Sequence, residues 1–156
     1  LSRPDWLAAG GRLELVSMRL ADQPFGMPVQ CVQEVLGPQP ITRVPLAPHA
    51  VAGALNLRGR IVTVLDLRVI LGFGAKANPA RAMNVVISHD KEVYSVLTDE
   101  VGDVLALRSD ALEPTPHMLA SGWRAITTGI VRIEGALLLM LTPERLLQQV
   151  SAAAPG

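Results

Sequence analysis

The chain is poor in cysteine, in aromatic residues and in net charge, and each shortage removes a class of protein. Cys31 is the only cysteine among 156 residues, so no intrachain disulfide can form. A reducing, cytoplasmic setting is expected. Two Phe, two Trp and one Tyr are all the aromatics, so the core must be built from Val, Leu and Ile. Fourteen Lys and Arg balance fourteen Asp and Glu, which argues against a nucleic-acid partner. Apolar runs such as Ala136–Leu141 are far too short to span a membrane, and direct membrane insertion is not expected.

Glycine and proline are plentiful instead, with 13 and 12 residues, and they stand between apolar runs. That pattern suits many short strands joined by turns. The stretch Gly53–Gly72, GALNLRGRIVTVLDLRVILG, reads as strand, glycine turn, apolar strand, cap and short helix. Gly129–Leu147, GIVRIEGALLLMLTPERLL, repeats the plan. Gly53 matches Gly129, Gly59 matches Gly135, Asp66 matches Thr142, and Leu71 matches Leu147. Upstream, Phe25–Leu36 lines up with Tyr94–Leu105, and both segments end in Val-x-acid-Val-Leu. Two matches in the same order predict two related halves, over about 12–73 and 83–148, with strands free to swap between them.

Read in order, Arg12–Leu20, Phe25–Val29, Cys31–Leu36 and Ile41–Pro45 are predicted strands. Pro45 and Pro48 force an irregular passage. Ala54–Arg58 and Ile61–Leu65 form a hairpin through Arg58-Gly59-Arg60. Asp66 caps a helix over Leu67–Leu71, and Gly72 stops it. A linker runs from Gly74 to Ala80. Met83–Ser88, Val93–Leu97 and Val101–Leu107 are strands, and Pro114–Arg124 is expected to be a mobile, irregular loop. Ile126–Ile133 and Ala136–Leu141 pair through Glu134-Gly135, the latter strand buried on both faces. Thr142 caps a C-terminal helix that begins at Pro143, with Leu146, Leu147 and Val150 on one face. Residues 1–11 and 151–156 are expected to be flexible ends.

The catalytic inventory is empty. His49, His89 and His117 lack carboxylate or thiol neighbours at metal-ligand spacing. Cys31 has no histidine nearby in sequence and reads as a buried, inert thiol. No serine sits in a G-x-S-x-G elbow. Gly72-Phe73-Gly74 lacks the third glycine of a dinucleotide loop and follows a helix rather than a strand. Asp99, Glu100 and Asp103 read as a solvated edge that discourages sheet pairing, and Arg68 as an exposed neighbour of its cap. Neither enzyme, metal nor cofactor is expected. What remains is a binding surface at Asn56, Arg58 and Gly59, where a rigid hairpin could project an arginine as an interface anchor.

Asn56-Leu57-Arg58-Gly59, Ile61-Val62 and Leu65-Asp66-Leu67-Arg68 together resemble the signature of the CheW-like chemotaxis coupling family. Val32-Gln33-Glu34-Val35, Ile41-Thr42-Arg43-Val44 and Thr128-Gly129 fit the same pattern, so the resemblance covers about Arg12 to Gln148. Thr63 stands where the family usually carries proline, and Pro28 where an acidic residue is more usual. The resemblance implies a mostly β fold: two similar five-stranded barrels on a shared apolar core, with short helices including a C-terminal one. It implies a non-catalytic adaptor that couples the cytoplasmic tip of a chemoreceptor to the histidine kinase CheA, in rings within membrane-associated receptor arrays. Val32, Glu34, Asn56, Arg58 and Gly59 would face the receptor, and apolar ends of the barrels the kinase. Alternatives are a CheW-like fragment of CheA or of the adaptor–receiver CheV, and, from another class, a small-molecule-binding or enzymatic double barrel with a polar pocket at its seam.

Overall fold

The computed structural model of the protein describes residues 11–150. Of the ends expected to be flexible, 1–11 and 151–156, all but Gly11 lie outside the described residues. Ten strands carry the fold: β1 (Arg12–Leu20), β2 (Gln23–Pro28), β3 (Val32–Leu36), β4 (Val51–Leu57), β5 (Arg60–Asp66), β6 (Met83–His89), β7 (Glu92–Thr98), β8 (Glu100–Arg108), β9 (Thr127–Ile133) and β10 (Ala136–Leu141). Helices are short: α1 (Leu67–Ile70), α2 (Ser121–Ile126) and α3 (Pro143–Gln148). The strands form two five-stranded sheets, in the orders β8-β1-β2-β10-β9 and β3-β6-β7-β5-β4.

The two orders are the same order. Replacing β1–β5 by β6–β10, and the reverse, converts one sheet into the other. The internal repeat is therefore a pseudo-twofold of the fold. Neither sheet is built from one sequence half. Strands β3–β7 make one sheet from a continuous stretch, while β1 and β2 join β8–β10 in the other. Parallel pairs tie the pieces together: Leu139 opposite Phe25 in one sheet, Leu65 opposite Val96 in the other.

Four two-residue turns close the hairpins. Ala21-Asp22, Arg58-Gly59, Asp90-Lys91 and Glu134-Gly135 all have positive φ at both positions. That is the mirror-image turn whose twist matches paired strands. Each sheet also receives a single antiparallel bridge beyond its edge strand, Thr42 to Ala54 and Glu113 to Ile130. Gly53 and Gly129 permit these approaches. A Cβ on Gly53 would sit 2.2 Å from the Thr42 carbonyl oxygen, and one on Gly129 3.0 Å from that of Glu113. The strand expected over Ile41–Pro45 is reduced to this one bridge, because Pro45 and Leu46, the latter at φ +62°, turn the chain away.

The loop expected over Pro114–Arg124 contains the start of α2. Trp123 and Ile126 bury on one side of it, and Gly122 allows it to rest on the backbone of Leu71, 2.3 Å from where a Cβ would be. Three apolar clusters result. The shared one lies between the sheets and includes Phe25, Leu65, Ile87, Val96, Leu139 and Leu141. Phe25 and Trp123 pack within it at a tilt of 51°, their ring centroids 5.6 Å apart. Each sheet also encloses its own cluster, Leu55, Val62, Val64 and Val86 in one, Leu13, Leu15, Leu138 and Met140 in the other. Strand β10 supplies alternate residues to two clusters, which explains its unbroken apolar run.

Candidate functional site

Glu34 and Arg58 meet at the mouth of the β3–β7 sheet. Arg58 Nη2 donates to Glu34 Oε2 at 2.5 Å. Glu34 lies on one edge strand, β3, and Arg58 follows directly after the other, β4; these edges are four strand spacings or about 19 Å apart if the sheet were flat. The sheet must therefore curl until its edges face one another. Side chains and the Thr42 bridge span the gap, rather than a ladder of paired edge strands.

Local sequence explains how the pair is aimed. A bulge falls between Val32 and Glu34, so Val32 pairs with Ile87 and Glu34 with Val86. Paired residues share a face. Val32 thus packs with Ile87 against the shared core, while Glu34 turns with Val86 to the concave side. Across the mouth, Asn56 Oδ1 accepts the Gly59 N–H at 2.7 Å and fixes the turn that projects Arg58. Gly59 holds φ +85°, as the second turn position requires. Four of the five expected site residues, Glu34, Asn56, Arg58 and Gly59, are brought together. Val32 lies on the other face of its strand and stays half-buried. The hydrogen bond to Glu34, then its charge, hold the Arg58 guanidinium above its ordinary pKa range. Glu34 Oε1 is enclosed and has no hydrogen-bond partner among the described residues. Ile61, 69% exposed, stands beside the turn and adds an apolar contact surface that the alternation along β5 concealed.

The second copy lacks this device. Asp103 and Glu134 occupy the places of Glu34 and Arg58, both acidic, although Glu134-Gly135 keeps the same turn. There Arg132, in the place of Asn56, pairs with Glu113 at 3.1 Å instead.

The expected caps divide. Asp66 is 2% exposed; Oδ1 accepts the Arg68 N–H and Oδ2 the Ala77 N–H, so it caps α1 and anchors the linker. Gly72, at φ +81°, ends α1 as expected. Thr142 holds the cap position of α3 without a capping bond from its side chain; its hydroxyl shares a hydrogen bond with Thr128 at 3.0 Å. The reading of Arg68 as an exposed neighbour, and of Asp99 as a solvated edge, is corrected. Arg68 Nη2 donates to Asp99 Oδ2 at 2.7 Å, and the same oxygen accepts the Ala21 N–H at 2.9 Å. Their distance in sequence hid a joint between α1 and the two sheets.

Cys31 sits half-buried at the end of a 3-10 turn before β3, rather than inside a strand; burial pushes its thiol pKa up. Among the described residues no three His, Cys, Asp or Glu gather as metal ligands. No helix of the described residues is long and apolar enough to cross a membrane. Among the described residues the shared apolar cluster lies between the sheets, and four clefts, of about 210 to 420 Å³, are lined by loops and strand residues.

Residues 14–151 match the profile of the CheW-like domain. The chain belongs to the CheW-like domain family. Among relatives of this family, a chemotaxis protein CheW of Rhizobium meliloti is 33% identical over 135 residues, covering 86% of each chain. One from Thermotoga maritima is 29% identical over 138 residues, covering 88% of this chain and 89% of the relative. The crystal structure of the scaffolding protein TtCheW from Thermoanaerobacter tengcongensis superposes with a TM-score of 0.77 at 22% identity, covering 90% of this chain and 96% of that one. The fold of this chain, mostly β with two five-stranded sheets and few short helices, is thus a CheW fold.

Proposed function

We propose that this chain is a non-catalytic adaptor that couples the cytoplasmic tip of a chemoreceptor to the histidine kinase CheA. The observation that carries the receptor half of the reading is the Arg58–Glu34 pair on a rigid hairpin turn, present in the first copy and replaced by two acids in the second. The architecture alone needs only glycines, caps and apolar strands, and the second copy shows that it folds without this pair. Arg58, with its side chain 70% exposed, keeps donors free for a partner, and Ile61 supplies apolar contact. Asn56 and Gly59 shape the turn, and Val32 packs behind it against the shared core.

The kinase half rests on the ends of the molecule. Among the described residues, Leu46 and Met118 are the most exposed large apolar side chains, at 104% and 94%. They follow the corresponding bridges at Thr42 and Glu113, so each sheet presents one. Two equivalent ends suit contact with two CheA regulatory domains and assembly into rings within receptor arrays. Leu46 is also a bulky residue at φ +62°, a conformation unfavourable enough to suggest a role beyond folding.

Co-sedimentation with a chemoreceptor cytoplasmic fragment, with and without CheA, tests the reading. The chain should pellet with receptor alone and should raise the amount of CheA that pellets. Failure to bind either partner contradicts it.

A further inference from the structure

A cleft of about 410 Å³ beside the linker gathers Arg68, Lys76 and Arg81, with Asp99 as the only acid on its wall. The chain as a whole carries no net charge, so three cations in one cleft are a local excess rather than a reflection of composition. Lys76 and Arg81 are exposed and make no ion pair among the described residues. Arg68 is held over the cleft by Asp99, 2.7 Å away. Ala77 and Ala82 keep part of the wall smooth, without bulky side chains to obstruct a passing backbone.

We propose that this cleft binds an acidic peptide segment of a partner protein, at a site separate from the Arg58 turn. A concave cleft with cations on its walls fits an extended chain bearing carboxylates better than a flat lipid surface. Incoming carboxylates pair with Lys76 and Arg81 and compete with Asp99 for Arg68. The site therefore touches the joint where Asp99 ties α1 to the β1–β2 turn through Ala21.

The test is fluorescence anisotropy of labelled polyglutamate with the full chain at low ionic strength, and polyglutamine as the uncharged control. Polyglutamate should bind, and the Lys76→Glu/Arg81→Glu double variant should bind about tenfold or more weakly with its melting temperature unchanged. Asp99→Asn should strengthen binding, because it removes the competing carboxylate, even as it weakens the fold. Arg12→Glu/Lys91→Glu, with the same change in net charge at exposed positions elsewhere, should leave binding intact. Equal loss in that control, no loss in the cleft variant, or no binding of polyglutamate overturns the proposal. So does capture of phosphatidylserine vesicles in place of the peptide.

Discussion

Gly53 has no side chain because the chain at Thr42 passes where a Cβ would be, 2.2 Å from the carbonyl oxygen. Gly53→Ala must push that backbone aside and is expected to cost about 3 kcal/mol. Gly74→Ala, where a Cβ meets open space, should be nearly neutral. Urea unfolding of the two variants checks the contrast; equal stability would remove the bridge from the account. The sequence shows this glycine as one half of a repeat, without showing what fills the space beside it. Arg58 was legible for the opposite reason: the repeat does not explain it. Its partner Glu34 carried no such signal, since the bulge that aims it depends on pairing with β6, a strand some fifty residues away.

The caps of α1 and α3 look equivalent in sequence and differ in structure. Asp66 binds two backbone N–H groups, while Thr142 binds only another hydroxyl. Asp66→Ala should therefore cost about 2 kcal/mol, combining a lost cap with a lost linker anchor. Thr142→Ala should cost less than about 1 kcal/mol. Thermal or denaturant unfolding measures both; a larger loss at Thr142 would contradict the assignment. Hairpins were readable where glycine marks them, at Arg58-Gly59 and Glu134-Gly135. The equivalent turns at Ala21-Asp22 and Asp90-Lys91 carry no glycine, and only their polarity showed a turn. Helix α2 was hidden because Pro114 and Pro116 announce a loop, and the helix gains its order from Trp123, Ile126 and the close approach of Gly122 to α1.

At the scale of the molecule, each sheet draws strands from both sequence repeats. A chain divided between Gly74 and Ala75 should therefore give two pieces that are unfolded alone and reconstitute when co-expressed. Circular dichroism of each piece and co-purification of the pair would show it. A piece that folds alone as a monomer would contradict the interlocked topology. Composition and turn spacing made the β-rich class legible, and the repeat predicted two similar units. The pairing of β2 with β10 and of β5 with β7 was beyond reach, because parallel partners leave no turn between them.

The most direct test of the adaptor reading is the affinity for a chemoreceptor cytoplasmic fragment, measured for wild type, Arg58→Glu and the charge swap Glu34→Arg/Arg58→Glu. The swap can remake an ion pair across the mouth of the sheet, but it does not return an arginine to the turn. Both variants should melt close to wild type, and both should lose receptor binding by at least about thirtyfold, as expected for a central arginine contact. Wild-type affinity in Arg58→Glu, with its fold intact, would contradict the account.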